Sequence, residues 1–304
     1  MKYFGYLLLS LCLIACGGAV FAQNNDDAHA LVKDGIQLNN EKKYAEAIDK
    51  YTQALKIDSG YLFADYQMAL SLSAINKRVD GLPYLQKIIN ANTSLKAAAY
   101  DLSGLIYFGN KQYAEAEKDA IEAIKLDPKH ASTQRMYALV CFHQNKRAAA
   151  LLGFCSFILL EPNTQRSTEA YGNIQHILQG GTLKPEPGEK APIINTNDAA
   201  LNQAITRAVA EAAKEKYASP VDQLAAQLKN IFTVVGALTE KQGGDGFFSK
   251  YLAGYFYQMA QSSNMPAFAR FINGTNPESA KWIKDNPQQM ADLDSWVKAN
   301  ARDF

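Results

Sequence analysis

The residues best suited to chemistry are four histidines, His29, His130, His143 and His176, and two cysteines outside the N-terminal stretch, Cys141 and Cys155. A metal site needs three or four such ligands to converge, and a nucleophile needs a neighbouring base. The histidines lie far apart in the chain, and no Ser or Cys sits in an activating motif. His143 and His176 could approach one another, yet a pair without Asp, Glu or Cys beside it makes a poor site. Gly243-Gly244-Asp245-Gly246 has the look of a phosphate or calcium loop. It lacks the preceding strand and the alternating carboxylates of such loops, so it reads as a turn between helices. The expectation is a chain with no catalytic residues, no cofactor and no metal.

The elements that must position these residues form a repeat. Between Ala28 and Tyr61, Gly35, Tyr44, Ala47, Tyr51 and Ala54 put small or aromatic residues where two antiparallel helices would touch, and the skeleton returns at Gly104, Tyr107, Tyr113, Ala116, Ala123 and Pro128. A second copy, Leu62 to about Leu95, keeps Ala69 and Leu72 but carries Gly81 and Pro83, the proline early enough in its helix to be tolerated. A fourth, Ala131 to Thr164, keeps Ala138, Ala150, Phe154 and Pro162. One more helix, from about Ser167 to Gln179, stops at Gly180-Gly181, as an array does when its last apolar face is capped. In this register Cys141 and Cys155 fall on successive helices, offset by more than a disulfide tolerates, and read as free thiols packed as small apolar groups.

These residues resemble the tetratricopeptide repeat, a helix-turn-helix unit of about 34 residues. The resemblance covers residues 28–179 and implies an all-α fold: an α-solenoid of about four hairpins plus a capping helix, with the first helix of each hairpin lining a concave face. By resemblance, groove positions fall on Val32 and Ile36, Tyr66 and Leu70, Asp101 and Leu105, Arg135 and Leu139, then Glu169 and Asn173, with Phe108 and Phe142 also facing the groove. The family's carboxylate clamp needs Lys and Asn where Val32 and Ile36 stand, which argues against a receptor for acidic chaperone tails. An apolar, partly aromatic floor flanked by Asp101, Arg135 and Glu169 suits an amphipathic helix or an extended apolar peptide. The competing reading is that the chain's own C-terminal half covers the floor and that the three charges form a solvated ladder worth little.

Lys2 followed by the apolar run Leu7 to Ala15 reads as a signal peptide spanning 1–22, cleaved after Ala22 and excluded from the fold. The run is too short to span a bilayer. The alternative is a lipoprotein signal, because Leu13-Ile14-Ala15-Cys16 resembles a lipobox and would leave Cys16 as a lipidated anchor. Either way the chain is exported, to the periplasm or beyond. A net charge of +1 without a basic stripe gives no case for nucleic acid.

Residues 180–196, with their prolines and glycines, read as a linker, and residues 197–304 as a separate small helical domain outside the repeat. Asp198 precedes an Ala-rich helix, Ser219-Pro220 with Asp222 opens the next, and Asn276-Pro277 and Asn286-Pro287 open the last two. Phe248, Tyr251, Leu252, Tyr255, Phe256 and Met259 recur at three- and four-residue steps. Tyr251 and Trp282 could face a sugar or an apolar small molecule, but the spacing alone accounts for this face as core. The sequence thus describes an exported, non-catalytic scaffold holding a protein or peptide segment. The alternatives are a small-molecule or glycan-binding protein using the C-terminal helices, or an outer-membrane lipoprotein subunit of an envelope assembly machine. The partner's identity and the oligomeric state are not legible.

Overall fold

A computed structural model describes residues 26–183, 192–244 and 246–302. The signal segment with Cys16, residues 184–191 of the expected linker and Asp245 lie outside the described residues. Every regular element among those described is helical, and none of these helices is long and apolar enough to cross a membrane.

The hairpins sit where the small residues place them. They are α1 (26–40) with α2 (Tyr44–Ile57), α3 (Leu62–Ala74) with α4 (Leu82–Asn90), α5 (Lys96–Gly109) with α6 (Tyr113–Leu126), and α7 (Ala131–His143) with α8 (Arg147–Leu160), followed by α9 (Gln165–Leu178). Each turn inside a hairpin carries one residue in the left-handed region: Lys42, Asn76, Lys111 and Asn145, with φ between 57° and 63°. Gly180 does the same after α9. Three of these turns and the end of α9 close by one pattern: Lys43 N–H donates to Leu38 O, Lys77 to Leu72, Lys146 to Cys141 and Gly181 to His176. This five-residue backward bond satisfies a carbonyl the helix end would otherwise orphan.

The small residues work as spacers. A methyl group at Gly35 would lie 2.8 Å from Cζ of Tyr51, whose ring is fully buried. At Gly153 it would meet Ala138 Cβ at 3.0 Å. In the degenerate second repeat a 3₁₀ turn, Arg78–Gly81, leads into α4, whose Pro83 lies in the first turn and breaks nothing.

The chain divides into two compact units between Tyr107 and Phe108, within the last turn of α5. In the first, Tyr51, Ala54, Ala64 and Met68 form a core, and Asn39 ties three helices together by donating to Tyr51 Oη at 2.9 Å and accepting from Ser71 Oγ at 2.9 Å. The second unit contains the fourth hairpin, α9 and the whole C-terminal block: α10 (Thr196–Ala212), α11 (Pro220–Lys241), a π-helical segment (Phe248–Gly254), α12 (Tyr255–Gln261), α13 (Met265–Ile272), α14 (Pro277–Asp285) and α15 (Pro287–Ala299). Ser219 and Asn276 cap α11 and α14 as read from sequence. Asn286 instead donates to Trp282 O, closing α14 rather than opening α15. The short helix α13 was not anticipated.

Within the second unit, α10, the π segment and α13 pack on α8. The cause lies in α8 itself. Arg147 through Ile158 are buried without exception, and a helix apolar on all sides needs cover on all sides. α7 and α9 supply part of that cover and the C-terminal block supplies the rest.

Candidate functional site

The first-helix positions of the two units differ in what they offer. In the first unit Val32 is 2 % exposed and belongs to the core. Ile36 is half-buried against that core, and Tyr66 and Leu70 lean likewise on the next cluster, formed around Leu85, Ile88 and Ile106. Burial, with the negative charge of Asp101 as a lesser cause, raises the Tyr66 phenol above its ordinary pKa. Leu105 stands 47 % exposed. This unit therefore presents an apolar strip with Asp101 beside it.

In the second unit Phe108 is half-buried among rings, with centroids 5.8 Å from Tyr113 and 5.3 Å from His143, and His143 stacks on Tyr113 at 5.0 Å. Leu139 and Asn173 are half-buried. Arg135 and Glu169 form an ion pair at 3.0 Å between α7 and α9, with side chains 29 % and 50 % exposed, so they make a surface bridge of small energetic worth. Phe142 is the exception. Expected on the open face, it is 3 % exposed, edge-on to Phe154 at 6.0 Å, because its position in the last turn of α7 points at α8.

The histidines do not form a centre. His143 packs on Tyr113 and Phe108, whereas His176 lies edge-on to Phe142 at 5.8 Å. Among the described residues no group of three His, Cys, Asp or Glu could hold a metal ion. Cys141 and Cys155 are free and buried, and burial pushes both thiols well above their ordinary pKa. That disfavours the thiolate a nucleophile needs. Of the C-terminal aromatics, Tyr251 is 3 % exposed, and Trp282 lies under the Arg270 guanidinium, 4.4 Å from its ring centroid.

Two polar joints hold the second unit together and were not legible in the sequence. In one, Asn202 of α10 accepts the Arg147 backbone N–H at 3.0 Å and donates to Asn145 O at 2.8 Å, capping the start of α8 from another helix. Arg147 reaches the other way, from Nη2 to Ile177 O at 2.6 Å and from Nη1 to Thr206 Oγ1 at 3.1 Å. Burial lowers its pKa. In the other, fully buried Gln134 of α7 donates to Tyr251 Oη at 2.7 Å and to Pro128 O at 3.1 Å, fixing the π segment to the fourth hairpin.

The hairpins are tetratricopeptide-like. No family model matches the chain. A stretch of 99 residues, 31 % of this chain, is 25 % identical to the Photosystem I assembly protein Ycf3 of Cyanophora paradoxa, and the chain spans about half, 56 %, of that protein's length. Among solved structures, MamA of Desulfovibrio magneticus is 25 % identical over 46 % of this chain and 78 % of that one, with a TM-score of 0.42. Pseudomonas aeruginosa PilF is 16 % identical over 79 % of this chain and 98 % of that one, with a TM-score of 0.43. The repeat character rests on the hairpins, their turns and their spacer residues.

Proposed function

We propose that the chain is an exported, non-catalytic scaffold that holds a protein or peptide segment on the first-helix faces of its hairpins. The observation that carries this reading is Leu105, 47 % exposed on a well-packed helix in the unit that also presents Tyr66, Leu70 and Ile36 half-buried. Apolar side chains held open on rigid helices supply anchoring area at little entropic cost to the scaffold. The match to a relative named as an assembly protein is in keeping with such a role. Export is supported by Lys2 and the apolar run Leu7 to Ala15. Cleavage after Ala22 and lipidation at Cys16 differ in the mass of the mature chain, and Cys16→Ala releases the protein from membranes only in the second case.

The groove is tested with Tyr66→Ala and Leu105→Ser, the latter chosen because an exposed residue can be changed without cost to the core. Partner capture from an envelope fraction should fall at least about tenfold with melting temperature unchanged for Leu105→Ser, the loss of one anchor of roughly 1.4 kcal/mol. Undiminished capture by both variants would remove the first-helix face from consideration.

A further inference from the structure

Two cavities, of about 270 and 410 Å³, share one wall made by Tyr251, Tyr255, Asn300, Ala301 and Arg302. Arg302 is the central feature. Its guanidinium carbon sits 4.2 Å from the ring centroid of Tyr255 and 4.4 Å from that of Tyr251. Nη1 donates to Ser156 Oγ at 2.8 Å and to Tyr251 O at 3.2 Å, which fixes the plane of the group. Among the described residues its hydrogen bonds run from Nη1 alone. Burial weakens the hold on its proton. Arg302 is half-buried and has no counter-charge among the described residues, and the cation–π contacts offset part of the cost of drawing it from water.

The described cavity linings add positive charge. Lys129 and Lys298 line the smaller cavity and Lys250 the larger, and neither lining contains an Asp or Glu among the described residues. Lys298 is paired outward with Asp294 at 2.6 Å. The smaller cavity also has an apolar side, formed by Leu159, Leu160 and Val297. Its wall is held in place, because the buried Gln134 anchors Tyr251.

We infer that the smaller cavity binds a carboxylate carried on a small apolar group, with the free edge of the Arg302 guanidinium taking the two oxygens and Leu159, Leu160 and Val297 taking the apolar part. A guanidinium fork matches a carboxylate in plane and spacing, and one fixed cation suits a monoanion. The site is separate from the first-helix faces and does not depend on their role. Two sources present this chemistry: a free aliphatic acid and the C-terminus of a peptide ending in an apolar residue.

The test is calorimetric titration of the mature full-length protein with hexanoate, hexanamide, and a short peptide ending in leucine with its terminus free or amidated. The expected result is binding of the carboxylate forms at least about tenfold tighter than their amides, in line with charge-assisted hydrogen bonds. A peptide tighter than hexanoate assigns the source as a chain terminus, and the reverse assigns a free acid. Arg302→Gln should lose the preference for the acid, and Arg302→Lys should keep part of it. Should Arg302→Gln fail to fold, exposed Lys129→Gln should still weaken hexanoate a few-fold with its melting unchanged. Equal affinity for hexanoate and hexanamide, or no binding of any carboxylate, overturns the inference.

Discussion

Replacing Asn202 with alanine tests whether the C-terminal helices and the fourth hairpin are one cooperative body. The side chain is 9 % exposed, and its loss orphans the Arg147 N–H at the start of α8 and the carbonyl of Asn145. A buried group left unsatisfied costs about 1–3 kcal/mol. Asn145 is only half-buried, so water can reach its carbonyl and the pair comes to about 2–4 kcal/mol. Alanine's better helix propensity returns about 0.6 kcal/mol, leaving a net loss of about 1.5–3.5 kcal/mol. The Arg147 guanidinium keeps its bonds to Ile177 O and Thr206, so no charge is set loose. Both tryptophans, Trp282 and Trp296, lie on α14 and α15, far along the chain from the substituted joint, and report on the second unit alone. With a urea slope of about 3 kcal/mol/M for a unit of this size, their unfolding midpoint should fall by roughly 0.5–1.2 M. A tryptophan midpoint unmoved while circular dichroism shows other helices lost earlier would refute the shared core. It would restore two independently folding parts divided near residues 180–196.

Two further outcomes follow from the packing and the charges. Gly35→Ala forces a methyl group into the buried ring of Tyr51, which its bond from Asn39 holds in place. Overpacking of about 1–2 kcal/mol should lower the melting temperature of the first unit by roughly 5–10 °C, and unchanged melting would show that the helices can separate freely. Asp222 is held below its ordinary pKa of 3.8 chiefly by its hydrogen bond from Arg270, with Ser219 helping. A carboxyl depressed in the folded state contributes stability above its unfolded pKa and loses it as pH falls through the folded value. Melting temperature should therefore drop more steeply below pH 3.8 in the parent than in Asp222→Asn. With the Asp222 side chain 34 % exposed, the difference amounts to under about 1 kcal/mol. Parallel curves would mean the pair carries no net stability.

Local chemistry was legible wherever it repeats or caps. Gly35 and Tyr51, which meet in the structure, both stand at positions of the repeat skeleton. Ser219 and Asn276 mark their helix starts by type alone. Phe142 was misplaced because the register gives its position in the repeat, whereas the direction of its ring depends on how closely α8 approaches. The π segment escaped notice because aromatic residues three and four apart look the same in either kind of helix. One signal lies in α8: from Ala148 to Leu160 every residue but Ser156 is apolar or glycine, which a second helix of an ordinary hairpin, with one face in water, does not need.

The sequence alone determined the hairpins through their recurring small residues, and the helix starts at Ser219 and Asn276, since a cap is settled by hydrogen bonding within one helical turn. Only the tertiary structure decided that the C-terminal helices share a core with α8 and that Arg302 enters a cage of tyrosines. Arg302 meets Ser156 across 146 residues of sequence, and no local period or propensity carries information over that distance. Such contacts are selected by which apolar surfaces remain uncovered once the hairpins have formed.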